Sequence, residues 1–235
     1  MNERDSLGDR MKLYEGAFSA TLPIRTPVIV RLDGKAFHTW TQGFERPFSE
    51  VFMDYMDQAA LAVCAEAQDT QMAYVQSDEI SVLLHNYKTF KTQAWFDNQI
   101  QKVVSVSAAC AAATVTLAAR RVAMFDARVF VLPEAEVTNY FFWRQNDWSR
   151  NSLSMLARSV YSDEEMFGKK QAEIHEMLYA KGLNWNDLPT RKKRGRCVIR
   201  GDDGQWGIDD EIPIWKGEGR DYVERLLAVE EEGAT

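Results

Sequence analysis

The chain has 235 residues, 46% of them hydrophobic and 27% charged, which is enough apolar material for one full domain with an appendage or for two small ones. Lys and Arg number 28 against 35 Asp and Glu, a formal charge of -7, and this excludes a protein that coats nucleic acid through bulk positive charge. The three cysteines, Cys64, Cys110 and Cys197, show no CxxC spacing and the first residues lack the apolar core of a signal peptide, so a reduced, cytoplasmic setting is expected.

The first strand is predicted at Val28 to Leu32, where VIVRL follows Pro27 and ends at the reversal signal Asp33-Gly34. From Ser49 to about Gln68 the period becomes helical, with Phe52, Tyr55, Met56, Ala59 and Val63 on one face and Ser49 placed to cap. Two β-type runs follow, Met72 to Gln76 and Glu79 to Leu84, separated only by Ser77 and Asp78, which implies a hairpin. A long helical pattern runs from about Thr92 to Ala119. Its Ala- and Val-rich part from Val103 is interrupted by Ser105, Ser107, Thr114 and Thr116, falls short of a membrane span and reads as a tightly packed buried helix. A fourth strand is predicted at Arg128 to Leu132, so the order is β-α-β-β-α-β: an α+β, ferredoxin-like (split βαβ) unit over 1–133.

The remainder, 134–235, reads as additional C-terminal helices and a small tail packed on that unit. One helix spans about Glu134 to Ser159; another begins at Ser162, with Glu165 completing a capping box, and stops near Gly182. The tail reads as irregular. It carries the basic run RKKRGR from Arg191, a short strand-like CVIR, the turn-rich GDDGQWG and an acidic end, VEEEGAT, expected to fray.

In a split βαβ unit the end of the first strand and the turn between the second and third lie at one edge of the sheet. Asp33 and Asp78, 45 positions apart, are therefore predicted to be neighbours, with Glu79 adjacent. Two such carboxylates share a proton, stay solvated or bind a divalent ion. The three histidines, His38, His85 and His175, have no metal-binding spacing, so carboxylates would have to hold any metal. Mg²⁺ suits them, since it is held by one or two carboxylates plus substrate phosphates, and a pair of such ions serves phosphoryl displacement.

The strings RLDGKAFHTW at 31–40, GFERP at 43–47, YVQSDEIS at 74–81, FDARVFVLP at 125–133 and NYFFWRQNDWSRNSL at 139–153 occur in order with suitable spacing. Together they resemble the tRNA-His guanylyltransferase superfamily, including its guanylyltransferase-like members that polymerise 3′ to 5′. The resemblance implies a polymerase-palm domain with two Mg²⁺ ions held by Asp33, Asp78 and the carbonyl of Gly34, with Glu79 assisting through water or indirect contacts. It implies that backbone amides from Lys35 through Ala36 and Phe37 to His38 cradle a triphosphate, with the His38 side chain, Phe44, Arg46, Ser77 and Lys102 also at the nucleotide. Arg144, Gln145, Asp147 and Asn151 would lie near the RNA end or the triphosphate. The five cations Arg191, Lys192, Lys193, Arg194 and Arg196, with Arg150 and Arg158 beside Arg144, offer a local track for RNA, although a basic run also serves as a solvated loop.

Family members dedicated to tRNA-His carry His-Ile-Asn-Asn where this chain has Ser149, Arg150, Asn151 and Ser152. The departure favours the guanylyltransferase-like group, which extends the 5′ end of tRNA or tRNA-like RNA against the opposing strand, using ATP to activate that end and GTP or other nucleoside triphosphates as building blocks. A homotetramer and the absence of any membrane partner are further expectations. The alternatives are a dedicated tRNA-His enzyme, a nucleotide cyclase or other palm-fold transferase acting without RNA, and a binding module without catalysis.

Overall fold

The computed structural model describes residues 6–89 and 91–229, and its centre is a six-stranded sheet in which every neighbouring pair is antiparallel. The strands are β1 (Val28–Gly34), β2 (Thr70–Gln76), β3 (Glu79–Leu84), β4 (Phe125–Val131), β5 (Arg196–Arg200) and β6 (Trp206–Asp209), in spatial order β4-β1-β3-β2-β5-β6. The first four realise the split βαβ order, with β3 between the mutually parallel β1 and β2. Helices α3 (Glu50–Glu66) and α4 (Ile100–Ala119) cover one face and α5 (Glu134–Arg158) crosses the other.

The burial of β1 explains its composition. Val28, Val30 and Leu32 point into the core under α3 and α4, while Ile29 points into the core under α5. A strand buried on both faces reads as a continuous apolar run, and each such side chain contributes about 1.5–3 kcal/mol. Ser49 caps α3 as its position predicts, its Oγ accepting from the Phe52 N–H at 3.2 Å.

Helix α4 departs from the expectation of tight burial. Only Val103, Ser107, Ala111 and Val115 are fully buried, and Ser105, Ala109, Ala113 and Leu117 face outward. Its small residues allow close approach to α3 on one side without burial all round. By length and composition it could cross a membrane, yet its inner stripe is part of the core. It also starts later than the pattern from Thr92 suggests, because Trp95–Asn98 forms a 3-10 turn with Phe96, Asp97 and Asn98 at positive φ.

The stretch from Ser162 divides into α6 (Asp163–Met166), opened by the predicted capping box, and α7 (Gln171–Ala180), with Gly168 at φ 74° turning the chain between them. The tail is built rather than irregular. After α8 (Thr190–Lys193), β5 pairs with β2 and β6 with β5, so 134–235 extends the sheet of 1–133 as well as packing on it. Ile212, Trp215, Val223 of α9 (Asp221–Glu224) and Leu227 then fill the α5-side core. Helix α1 (Leu7–Gly16), unforeseen in the pattern, has no buried residue. The acidic end from 230 lies outside the described residues.

Candidate active site

The end of β1 and the β2–β3 turn are joined directly: the Gly34 N–H donates to the Asp78 carbonyl at 3.0 Å, and Ser77 takes the positive φ, 45°, that the two-residue turn needs. Asp33 lies opposite Glu79 on one side and Asp126 on the other. Across the four strands this produces a row of three carboxylates, Asp126, Asp33 and Glu79, ending at the amide of Gln76. Two residues further in, on the same face, runs the row Arg128, Arg31, Ser81 and Tyr74.

Glu79 is engaged by neighbouring side chains. It is 4% exposed, and its Oε1 accepts from Arg144 Nε (2.7 Å), Gln76 Nε2 (3.1 Å) and Ser81 Oγ (3.4 Å), while Oε2 accepts from Arg144 Nη2 (2.5 Å) and Arg31 Nε (2.8 Å). A carboxylate so fully occupied has no lone pair left for a metal or its water. It is a positioning residue that clamps two arginines, and the period of two that puts Arg31 and Glu79 on one face was the available signal.

Asp33 and Asp78 are the opposite case. Asp33 has only a 3.8 Å contact to Arg31 Nη2, and Asp78 has no ion pair among the described residues. Burial raises both carboxyl pKa values; the charges of Glu79 and Asp126 raise that of Asp33 further, and Asp33 does the same to Asp78. Asp33 is partly offset by Arg31, and Asp78 by its own backbone N–H and the Ser77 hydroxyl, yet two carboxylates without a close counter-ion beside open cavities fit a hard divalent ion whose remaining ligands come from a phosphate substrate. No group of three potential metal-binding side chains occurs among the described residues.

Two cavities meet at Asp78. The first, about 360 Å³, is lined by Gly34, Ala36, Phe37, His38, Phe44, Arg46, Phe48 and Phe52 together with Ser77 and Asp78. Its aromatic wall is a stack: Phe37 on Trp40 at 4.9 Å and Trp40 on Phe44 at 5.6 Å. Ala36 stands in the left-handed region at φ 57° and heads the short helix α2 (Phe37–Trp40), so the amides of 36–38 have no intrahelical acceptor and form a small anion cradle. The Lys35 amide is not part of it, being donated to Met124 O at 2.9 Å. Gly34 is obligatory, since a Cβ there would sit 2.4 Å from the Phe37 ring.

The second cavity, about 370 Å³, is polar and carries charges of both signs, lined by Arg31, Asp33, Gln76, Ser77, Asp78, Glu79, Arg144, Asp147, Trp148, Asn151, Met155 and Arg158. Asn151 and Arg144 are therefore at the site, as expected. Arg31, Gln76 and Trp148 were missed because each looks like an ordinary strand or helix residue in sequence. Gln145 instead brackets the tail, donating to Pro213 O (2.9 Å) and accepting from the Trp215 N–H (3.1 Å).

Two groups of expected site residues lie elsewhere. Lys102 is exposed at the start of α4, and α4 begins at the far edge of the sheet because β3 runs away from Asp78; its ammonium rests over Phe96 at 5.8 Å. The basic run is held by internal contacts rather than forming a free track. Arg191 pairs with Asp57 (2.9 Å) and Asp210 (3.5 Å), Lys192 with Glu50 (2.6 Å), Lys193 donates to Asn186 O, and Arg194 to Ile212 O (3.2 Å). Arg196, fully buried, pairs with Asp57 and donates to Met53 O (2.9 Å).

Residues 8–133 match the family model described as tRNAHis guanylyltransferase. A bacterial tRNA(His) guanylyltransferase-like protein solved in complex with ATP is 40% identical, with a TM-score of 0.91 over 95% of this chain and 100% of that one. A bacterial protein of the same description solved with GTP is also 40% identical, with a TM-score of 0.82 over 96% of this chain and 100% of that one. The tRNA(His) guanylyltransferase of Schizosaccharomyces pombe is 30% identical over 224 residues, 86% of this chain and 83% of its own.

Proposed function

The chain belongs to the tRNA-His guanylyltransferase family and is a nucleotidyltransferase, and from that premise we propose that it adds nucleotides in the 3′-to-5′ direction to the 5′ end of tRNA or tRNA-like RNA. The observation that carries the reading is the pair Asp33 and Asp78 at the junction of two nucleotide-sized cavities, one aromatic and one arginine-lined. A single nucleotide binder needs one such cavity; a transferase joining two substrates needs both, opening on the same reacting centre.

In the first stage an oxygen of the RNA 5′-monophosphate attacks the α-phosphorus of ATP and pyrophosphate leaves. In the second the 3′-hydroxyl of an incoming nucleoside triphosphate attacks the activated 5′ phosphorus, AMP leaves and the hydroxyl proton passes to solvent. The aromatic cavity receives the nucleotide, with the amides of 36–38 against its phosphates and Phe44 and Arg46 beside it. Arg144, Asn151 and Arg158 hold the RNA end in the second cavity. Two Mg²⁺ ions held by Asp33, Asp78 and the Gly34 carbonyl would supply charge neutralisation at phosphorus and ease loss of the hydroxyl proton.

End repair is favoured over dedicated tRNA-His activity. Ser149 donates to Lys193 O (3.1 Å) and Ser152 to Lys192 O (2.6 Å), so two of the positions that depart from His-Ile-Asn-Asn serve to pin α8 to α5. Assembly as a homotetramer is supported by the apolar surface left open on α1 (Leu7, Leu13, Tyr14), at Phe18 beyond it, and at Leu117 of α4. A cytoplasmic setting suits the three unpaired cysteines.

The test is incorporation of labelled nucleotide into a 5′-monophosphorylated tRNA lacking its first nucleotide, with ATP and Mg²⁺. Template-matched addition that Asp78→Ala abolishes is expected. No addition by folded protein to either monophosphate or triphosphate ends would overturn the reading.

A further inference from the structure

Two polar atoms in the walls of the arginine-lined cavity have no partner: Gln76 Oε1 and Trp148 Nε1. Both residues are at least nine-tenths buried, at 4% and 5% exposure. The orientation of the Gln76 amide is fixed by chemistry. Its nitrogen donates to Glu79 Oε1 at 3.1 Å, and an ionised carboxylate only accepts, so the oxygen must be the end turned away. Service to Glu79 thus accounts for the amide nitrogen but not for the oxygen, and it does not account for the indole N–H. A buried acceptor and a buried donor left unmade in one cavity point to a ligand that supplies both partners.

The group that satisfies them must donate to one and accept from the other. An ionised phosphate oxygen only accepts, and would be repelled by Oε1, whereas a hydroxyl does both. Gln76 stands two residues before Asp78, so the group lies within one sugar of the reacting phosphorus. In the 5′-terminal nucleotide of an RNA strand the 3′ oxygen is committed to the phosphodiester, and the 2′-hydroxyl is the free one.

We propose that Gln76 and Trp148 are positioning residues that hold the 2′-hydroxyl of the RNA's 5′-terminal nucleotide, so that this cavity distinguishes a ribose from a deoxyribose terminus. The assignment rests on the reading of the site as a 5′-end nucleotidyltransferase. It adds the sugar to what a phosphate contact on the same walls would recognise, since such a contact is alike for RNA and DNA. Both orphan atoms are shielded from solvent, and holding the hydroxyl would require their side chains to turn toward it.

The experiment uses two acceptor RNAs that differ only in a 2′-deoxy substitution at the 5′-terminal nucleotide. For each, kcat/KM for nucleotide addition and, without ATP, the binding constant by fluorescence anisotropy are measured for wild type, Gln76→Met and Trp148→Phe. Wild type is expected to favour the ribose terminus about tenfold in both measurements, and either variant to bring that ratio close to one. The substrate substitution needs no variant, so misfolding of Gln76→Met leaves the test intact, and Trp148→Phe keeps the ring. Equal handling of the two RNAs by wild type, or an unchanged ratio in folded variants, would overturn the inference while leaving end addition standing. Wild type that binds the RNAs with the expected preference but adds nothing would instead fail the transferase reading alone.

Discussion

Replacing Glu79 with Gln separates a clamp from a metal ligand. The carboxylate lies between Arg144, 7% exposed, and Arg31, and takes five hydrogen bonds from them, Gln76 and Ser81. Gln is nearly isosteric but uncharged, so the substitution leaves the buried Arg144 guanidinium only its 3.4 Å contact to Asp147, a change that costs about 3 kcal/mol. For a domain of this size that is a fall in Tm of roughly 10 °C. A carboxylate whose task was to bind metal would behave differently. On the proposed function Asp78 would be that case: its folded pKa lies above the unfolded one, so its ionised form opposes folding above that pKa, and Asp78→Asn should leave Tm equal or raised at pH 7 while abolishing activity. The assay pairs thermal melts with RNA-end extension over a Mg²⁺ titration. Glu79→Gln should melt early and lose turnover at every Mg²⁺ concentration. An unchanged Tm together with activity restored by excess Mg²⁺ would refute the clamp.

Gly34→Ala places a methyl 2.4 Å from the Phe37 ring in the core, and a loss of about 1–3 kcal/mol in urea unfolding is expected, along with weakened nucleotide binding by calorimetry. Arg191→Gln should lower Tm while leaving the slope of log Kd for RNA against log salt unchanged, because Arg191 is committed to Asp57 and Asp210; a shallower slope would return it to the RNA interface. Asp69 carries an unpartnered buried Oδ2, and burial raises its pKa to about 6. With the folded pKa above the unfolded one, its favourable contribution is complete only below about pH 4 and is lost as pH rises through 6. Asp69→Asn should therefore stabilise by about 1 kcal/mol at pH 8, less than the shift alone implies because the group is half-exposed, and have no effect at pH 4 in parallel melts. Asn also tolerates the φ of 61° at this position.

The palm was legible because its signals are local. VIVRL and EISVLL are short, mostly apolar β-type runs, Ser77-Asp78 leaves room only for a tight turn, and topology then forces Asp33 to Asp78. The tail was legible only at the strand-like CVIR, which is β5, and its pairing was hidden for the converse reason. Strands β5 and β6 are held by pairing with β2 and by Arg196 reaching Asp57, contacts across more than a hundred positions that no periodicity records. Charge misled where partners were distant: RKKRGR looks like a free cationic loop until Glu50 and Asp57 are placed beside it. Likewise Glu79 read as a third catalytic acid because the sequence does not place Arg144 over it.

The ion pair between Arg196 and Asp57 bears on how the protein is made. Arg196 belongs to β5 and also lines the aromatic cavity, while Asp57 belongs to α3. A ribosome that has released only the first 133 residues has delivered Asp33, Asp78 and the phosphate cradle, yet Asp57 still lacks its buried counter-charge and one wall of the cavity has not been synthesised. Every catalytic carboxylate is thus translated well before the nascent chain can close around a nucleotide, and a truncation before β5 would yield a half-sheet with an exposed β2 edge rather than a minimal enzyme.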